Sequence, residues 1–259
     1  MMLLVIDIGN TSITFGIFSG KKLIEERKIP TKIAYSLREC TTEIYNLPHR
    51  SKIKDTIISS VAPDTLLQLE KILKRVFKKR PLVLGRDIKA PIKNLYKYPE
   101  QVGQDRLVNG VAAYALYNRG SKKRPLLIID FGTAVTFDVI SKDNEYLGGL
   151  IFPGIRLSLE NLSRRAALLP KIEIKRPKSL VGKDTKESMR SGLLNGYGSL
   201  CDGIVKRVGS LYKVKPEVIA TGGDAPLIAK YANSIKKVEP NLTLKGLRLT
   251  YERGKTLEE

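Results

Sequence analysis

The sequence predicts an α/β protein built from two similar halves, each a mixed sheet flanked by helices, facing a common cleft. Three observations carry this prediction. Strand-like and helix-like segments alternate along the chain. A block starting at Leu3, LLVIDIGNTSITFGIF, returns at Leu126 as LLIIDFGTAVTFDVI. Each block is an apolar run, an Asp-x-Gly turn with a hydroxyl residue close behind, and a second β-rich run. The chain has 259 residues, 42% of them hydrophobic, enough for a substantial core in one large domain or two ordinary ones.

Taken in order, residues 3–8, 13–18 and 22–28 read as three strands, with turns at Asn10-Thr11 and Gly20-Lys21. A helical pattern covers 34–46. Thr56–Val61 is a short β run closed by Ala62-Pro63. Asp64 is placed to cap the next helix, whose apolar face is Leu66, Leu69, Leu73, Val76 and Phe77. Leu82–Leu84 is a further strand, and 86–102 an irregular loop rich in Lys, Pro and Tyr. Gly103–Tyr117 is helical, and Asn118–Pro125 is a polar, basic linker. The halves are therefore expected at 1–118 and 119–259.

The second half repeats the plan. Strands fall near 126–131, 135–141 and 145–151, a helix after Gly154 and a long helix over 185–212. A strand at 217–220 and a helix after Pro226 follow. In the long helix Met189, Leu193, Tyr197, Leu200, Ile204, Val208 and Leu211 recur at helical spacing. Gly192, Gly196 and Gly203 lie among them. Glycine weakens a helix interior by about 1 kcal/mol relative to alanine. Several together predict close approach to another element, in the chain or across a dimer.

Composition excludes several classes. No apolar run reaches the roughly 18–20 residues of a membrane helix, and the chain opens on a strand pattern with no signal-peptide features, so a cytoplasmic location is expected. Cys40 and Cys201 are far apart and read as reduced core thiols. His49 is the single histidine and precedes Arg50 at a loop, so a general acid or base in this chain is a carboxylate. The net charge of +20 is spread over small Lys/Arg groups without aromatic interleaving. This describes a solvated, Lys-rich surface that also attracts anionic substrates.

The Asp-x-Gly turns carry the chemistry. In Asp7-Ile8-Gly9-Asn10-Thr11, glycine lets backbone N–H groups approach a ligand, and Thr11, Ser12 and Thr14 add hydroxyls. Asp7 can hold a metal or its waters; Mg2+ prefers oxygen ligands and keeps waters while bridging phosphates. Asp130-Phe131-Gly132-Thr133 supplies the same parts a second time. No G-x-x-x-x-G-K-[ST] loop is present: Gly254-Lys255-Thr256 lacks the leading glycine, and Gly196-Tyr197-Gly198 lies inside a helical pattern. Gly103-Gln104-Asp105-Arg106 opens a helix. There Asp105 is either a capping acid or an acceptor for a hydroxyl proton, with Arg106 gripping a substrate carboxylate.

Together these motifs resemble the type III pantothenate kinases of the acetate kinase/sugar kinase/Hsp70/actin superfamily. The matching stretches are Asp7–Thr11, Ser59-Ser60-Val61-Ala62-Pro63, Tyr96 with Gly103–Arg106, and Asp130–Thr136. Tyr146–Gly154, Ala166–Pro170, Gly182–Thr185 and Thr221-Gly222-Gly223 follow in the same order. The resemblance implies two actin-like, ribonuclease H-like half-domains and ATP-dependent phosphorylation of pantothenate, the first step of coenzyme A synthesis. It implies that Asp7, Ile8, Gly9, Asn10, Thr11, Ser12, Ile13 and Thr14 form the first phosphate loop and that Thr133 contacts ATP. Asp130 would bind a monovalent cation, K+ or NH4+, and Asp105 would accept the proton. Tyr96, Gly103, Gln104, Asp105, Arg106 and Thr185 would bind pantothenate, with Thr185 reaching the site from the partner in a homodimer. Gln104, Val135 and Arg165 depart from the usual pattern, and Val135 removes a hydroxyl near the second loop.

Phosphoryl transfer is mostly positioning and charge stabilisation, so the expected mechanism is in-line transfer from ATP with Mg2+ present. Two other readings stay open. One is a non-catalytic, transcription-accessory or nucleic-acid-binding protein of the same fold, favoured by the charge and opposed by the intact Asp7, Asp105 and Asp130. The other is a superfamily kinase with a different hydroxyl substrate.

Overall fold

The structure is a computed structural model and describes residues 2–31, 37–118 and 123–256. In chain order the elements are β1 (Met2–Ile8), β2 (Ser12–Ser19), β3 (Lys22–Pro30), α1 (Leu37–Tyr45), β4 (Ile53–Ser60), α2 (Pro63–Phe77), β5 (Leu82–Val83), β6 (Lys93–Asn94) and α3 (Gln104–Tyr117). Then come β7 (Leu126–Phe131), β8 (Ala134–Ile140), β9 (Glu145–Pro153), α4 (Ile155–Arg165), α5 (Thr185–Leu211), β10 (Glu217–Thr221), α6 (Ala225–Ile228), β11 (Lys237–Val238) and α7 (Leu242–Thr256). Two compact units result: Met1–Ala112 with Leu242–Glu259, and Ala113–Asn241.

In the first unit the strand order is β3-β2-β1-β4-β5. β1 pairs antiparallel with β2 and parallel with β4, and β4 runs parallel to β5. Alternation along β1 sorts its side chains to two faces. Leu4, Ile6 and Ile8 join Cys40 and Ile44 of α1 and Leu69, Ile72 and Leu73 of α2. Leu3 and Val5 join Val108 of α3 and Leu244, Leu247 and Tyr251 of α7. The α7 helix lies close against α3: a Cβ on Gly246 would sit 2.1 Å from the Val108 carbonyl oxygen. Asp55 of β4 is buried and accepts hydrogen bonds from Tyr251 and Lys79.

In the second unit the strands β11-β10-β7-β8-β9 follow the same plan. β7 is antiparallel to β8 and parallel to β10, β8 is antiparallel to β9, and β10 is parallel to β11. Leu127, Ile129 and Phe131 of β7 pack with Val135 and Phe137 of β8, Ile155 of α4, and Leu194, Tyr197, Cys201 and Val205 of α5. The sequence repeat is thus a repeat of strand order and direction.

Several expectations are corrected. Asp64 does not cap α2: Ala62 is the cap residue without a side-chain bond, and Pro63 takes the first helical position, where its missing N–H costs nothing. The helix expected after Pro226 begins at Ala225 and is a single turn. The 86–102 loop contains β6 and a 3-10 turn at Pro99–Gln101. On α5 the buried line is Met189, Leu194, Tyr197, Cys201, Val205 and Val208, while Leu211 is 72% exposed. Gly192, Gly196 and Gly203 meet nothing within 4 Å of a built Cβ, so the close approach within the chain is made by Gly198 instead, against the Tyr231 backbone. The start of the expected 34–46 helix and residues 119–122 of the expected linker lie outside the described residues. β11 and α7 have no counterpart in the sequence reading.

Candidate active site

In the first unit the Asp7 turn stands at the carboxyl end of β1, where ligands bind in sheets of this kind. Asp7 is level with Thr14 of β2 on one side and Ser59 of β4 on the other. All three lie on the face covered by α3 and α7, because Val5 and Ile57, two positions earlier, belong to that cluster. The result is a polar row, hydroxyl–carboxylate–hydroxyl, across three strands.

The loop beyond is held by backbone bonds. Gly9 N–H donates to Ser12 O (3.0 Å), and a Cβ at Gly9 would lie 3.2 Å from that oxygen. Thr31 ties down both sides: its hydroxyl donates to Gly9 O (2.7 Å) and its N–H to Thr11 O (2.9 Å). Asn10 and Thr11 are exposed and Ser12 is half-buried. Ile8 and Ile13 are fully buried, so their side chains serve the core and only their backbone belongs to the loop.

The Gly103–Arg106 turn belongs to the same unit. Leu84 N–H donates to Ile58 O (2.8 Å), which carries the β5 end alongside Ser59. The next residue, Gly85, has φ +86, and a Cβ there would lie 2.9 Å from the Gln104 side chain. Gln104 thus packs where Gly85 leaves room, and α3 begins beside the carboxyl ends of β4 and β5. Asp105 folds back over the helix start: its Oδ1 accepts from Arg106 N–H at 2.9 Å and would lie 2.4 Å from a Cβ on Gly103. Glycine at 103 therefore makes the carboxylate's position accessible. The positive end of the helix dipole faces the same region and suits anions. Arg106 is 9% exposed. Tyr96 is half-buried in a turn in which its N–H donates to Asn94 Oδ1 (3.0 Å).

The second unit repeats the row. Asp130 is level with Thr136 of β8 and Thr221 of β10. Two glycines hold the surrounding turns. Gly222, at φ +88, leaves 2.5 Å between a built Cβ and Asp130 Oδ1. Gly154 donates its N–H to Thr133 O (3.0 Å), and its Cβ would sit 2.2 Å from that oxygen. Thr133 itself is exposed. Val135 is fully buried with Phe131 on the opposite face, so a hydroxyl there would enter the core and not the site. Thr136 donates to Asp138 (2.9 Å), whose other oxygen accepts from Tyr146 (2.8 Å); this buried carboxylate is a structural acceptor.

Thr185 opens α5 and is exposed; Asp184 caps the helix by accepting from Glu187 N–H (2.9 Å). Glu187 accepts in turn from Lys178 N–H and Arg190, which holds its carboxyl below the usual range.

Among the described residues no cluster of three or more His, Cys, Asp or Glu could hold a metal ion. The donor sets at Asp7 and Asp130 are instead single carboxylates with hydroxyl neighbours. Such all-oxygen, one-carboxylate sites fit a cation that brings its own waters or phosphates. Two concavities of about 670 and 660 Å³ lie in the second unit; neither is lined by a residue of the Asp7 or Asp130 turns, and the second is an apolar hollow along α5 at Gly192 and Gly196. Sequence reasoning missed Thr31, Gly85, Gly154 and Gly222 as loop supports.

Among the described residues no helix is long and apolar enough to cross a membrane. The type III pantothenate kinase family profile matches residues 3–207. A type III pantothenate kinase from Syntrophus aciditrophicus is 43% identical over 98% of this chain and 100% of its own. One from Bacillus cytotoxicus is 44% identical over 99% and 98%. Among solved structures, a Campylobacter jejuni protein assigned to the Baf transcriptional activator family superposes with TM-score 0.63 at 18% identity, over 98% and 99% of the two chains. MreB 5 of Spiroplasma citri bound to AMPPNP gives 0.55 at 11% identity, over 99% and 98%. At such low identity these two structures speak for the fold alone, and that fold is the expected pair of actin-like halves. With near-full-length relatives above 40% identity, the chain belongs to the type III pantothenate kinase family.

Proposed function

We propose that the protein transfers the γ-phosphoryl group of ATP to the primary hydroxyl of pantothenate, giving 4'-phosphopantothenate. The observation that carries this reading is Asp105 at the start of α3, in the same unit as the Asp7 loop. The exposed turn residues Asn10 and Thr11 and the hydroxyls of Thr11, Ser12 and Thr14 cradle the phosphates, and Thr133 contacts the nucleotide from the second loop. Asp7 would hold the Mg2+ that accompanies the nucleotide, and that ion would supply charge to offset the phosphates. Asp105 orients the pantothenate hydroxyl and accepts its proton, Arg106 pairs with the pantothenate carboxylate, and Tyr96 closes over the substrate. Asp130, with Thr136 and Thr221 beside it, is the site for K+ or NH4+.

Thr185 is assigned to pantothenate from across a homodimer. The second unit supports an assembly: Leu150, Ile151, Phe152, Leu157 and Leu162 are each at least 40% exposed, and Phe152 and Leu162 line the apolar hollow at Gly192 and Gly196.

The test is ATP-dependent phosphorylation of pantothenate by the purified protein, with and without K+ or NH4+. Asp105→Asn should lower turnover by about 10²–10⁴-fold, the usual worth of a positioned base, while ATP still binds. Near-full activity in that variant removes Asp105 from the role. No turnover by the wild type, together with tight, salt-sensitive DNA binding, would favour the non-catalytic reading.

A further inference from the structure

The Ser59-Ser60-Val61-Ala62-Pro63 stretch matched the family pattern, yet no role in the reaction has been given to it. Its two serines differ. Ser60 Oγ accepts from Ala62 N–H (3.1 Å) and donates to Ala62 O (3.2 Å), closing the turn into α2. Ser59 is fully buried, and its Oγ has no hydrogen-bond partner. A buried hydroxyl left in this state is destabilising, and native chains keep few of them. Replacing it with alanine would remove the penalty at almost no change in shape. The hydroxyl is therefore expected to gain its partner in a state other than the free protein.

The strand register names that partner. Ser59 is level with Asp7 on the parallel neighbour strand, and the two share a face. Adjacent strands lie about 4.8 Å apart, so rotation about one side-chain bond brings the hydroxyl towards the carboxylate. On the other side of the row Thr14 faces Asp7, and in the second unit Thr221 occupies the position beside Asp130. Both acids of the repeat thus have a hydroxyl from the neighbouring parallel strand.

We propose that Ser59 is a positioning residue for Asp7: with the nucleotide bound, its hydroxyl donates to the Asp7 carboxylate and fixes the oxygen that holds metal-bound water. The inference rests on the assignment of Asp7 to Mg2+–nucleotide given above. Ser59 touches neither nucleotide nor pantothenate; it acts through Asp7.

The test is Ser59→Ala in the full chain, read by the melting temperature of the free protein and by calorimetric binding of AMPPNP with Mg2+ and with EDTA. The expected result is an unchanged or higher melting temperature and about tenfold weaker binding with Mg2+, the worth of one charge-assisted hydrogen bond. Binding in EDTA and the KM for pantothenate should stay at wild-type values. Mg2+–AMPPNP affinity within twofold of wild type overturns the proposal. So does an equal loss in EDTA, or a clear fall in melting temperature, which would mark the hydroxyl as structural. Failure of the wild type to phosphorylate pantothenate would defeat the functional reading separately, since nucleotide binding is measured without the acceptor.

Discussion

Gly154→Ala probes how tightly the turn proposed as the second phosphate loop, Asp130–Thr133, is held. The new Cβ would lie 2.2 Å from Thr133 O and 2.6 Å from Gly132 O. Both are backbone atoms of the loop, and no side chain can swing away to make room. Ordinary contact begins near 3.5 Å, so the loop or the start of α4 must retreat by about 1 Å. The same carbonyl accepts the Gly154 N–H at 3.0 Å, and that bond, worth about 1 kcal/mol, is lost or stretched. With overpacking strain of about 1–3 kcal/mol, the melting temperature should fall by about 5–10 °C for a chain of this size. A displacement of about 1 Å in a positioning element can cost about 10²-fold in rate. Steady-state assays should therefore show a large fall in kcat/KM for ATP, with the KM for pantothenate little changed, and a melt should show the modest drop. Activity within twofold of wild type at an unchanged melting temperature would refute the claim that Gly154 sets the position of Thr133.

Burial pushes the thiols of Cys40 and Cys201 up to about 11 and about 12, so neither should react with a thiol reagent at neutral pH until the protein unfolds; rapid native labelling would contradict their placement. Arg86 beside Asp87 holds its carboxyl below the usual range. That stabilisation is present above the unfolded aspartate value of about 3.9 and disappears as pH falls through the lower folded value. Asp87→Asn should therefore melt below wild type at pH 7 and converge with it as the Asp87 carboxyl protonates in acid, and a gap constant with pH would sink the assignment. In the proposed homodimer, Gly196→Arg places a charge in the apolar hollow along α5 and should give monomers in sedimentation equilibrium where the wild type gives dimers; if Thr185 acts across that dimer, pantothenate turnover falls while AMPPNP binding survives, and an intact dimer in the variant would count against that face.

The elements legible in the sequence are those whose pattern is local. The strands leading into Asp7 and Asp130 are unbroken apolar runs of consecutive residues, and both turns carry their own glycine. α5 shows where a local pattern becomes ambiguous. Its sequence offers apolar pairs at Leu193-Leu194, Leu200-Cys201 and Ile204-Val205, and either member gives a helical stripe. The structure buries Leu194, Cys201 and Val205 fully and leaves Leu193, Leu200 and Ile204 part-way. Nothing within the helix selects between the stripes; the sheet beneath it does. α7 carries a helical signal in Leu244, Leu247 and Tyr251, interrupted by Gly246. Gly246 is there because the Val108 carbonyl occupies the space of its Cβ, a reason that lies more than a hundred residues away in the chain.

The same distinction divides the site. As candidates, Asp7 and Asp130 are legible in their repeat, and Asp105 in its glycine and the helix it opens. Their supports are not. Ser59 acquires meaning only because β4 runs parallel to β1 in the register that sets it beside Asp7, and Thr221 only because β10 does the same beside Asp130. Parallel neighbours require a crossover, so their register is written in no contiguous segment. Thr31 likewise reaches back to Gly9 and Thr11 from the far end of β3. Residues that perform chemistry tend to bring their local turn with them, whereas residues that hold them arrive from elsewhere in the sheet. Ser59 and Thr31 both belong to the second class, and experiment tells them apart. Removing Thr31 takes a bond away from the free protein and should lower its stability, while removing Ser59 takes away none and should be felt only when the nucleotide binds.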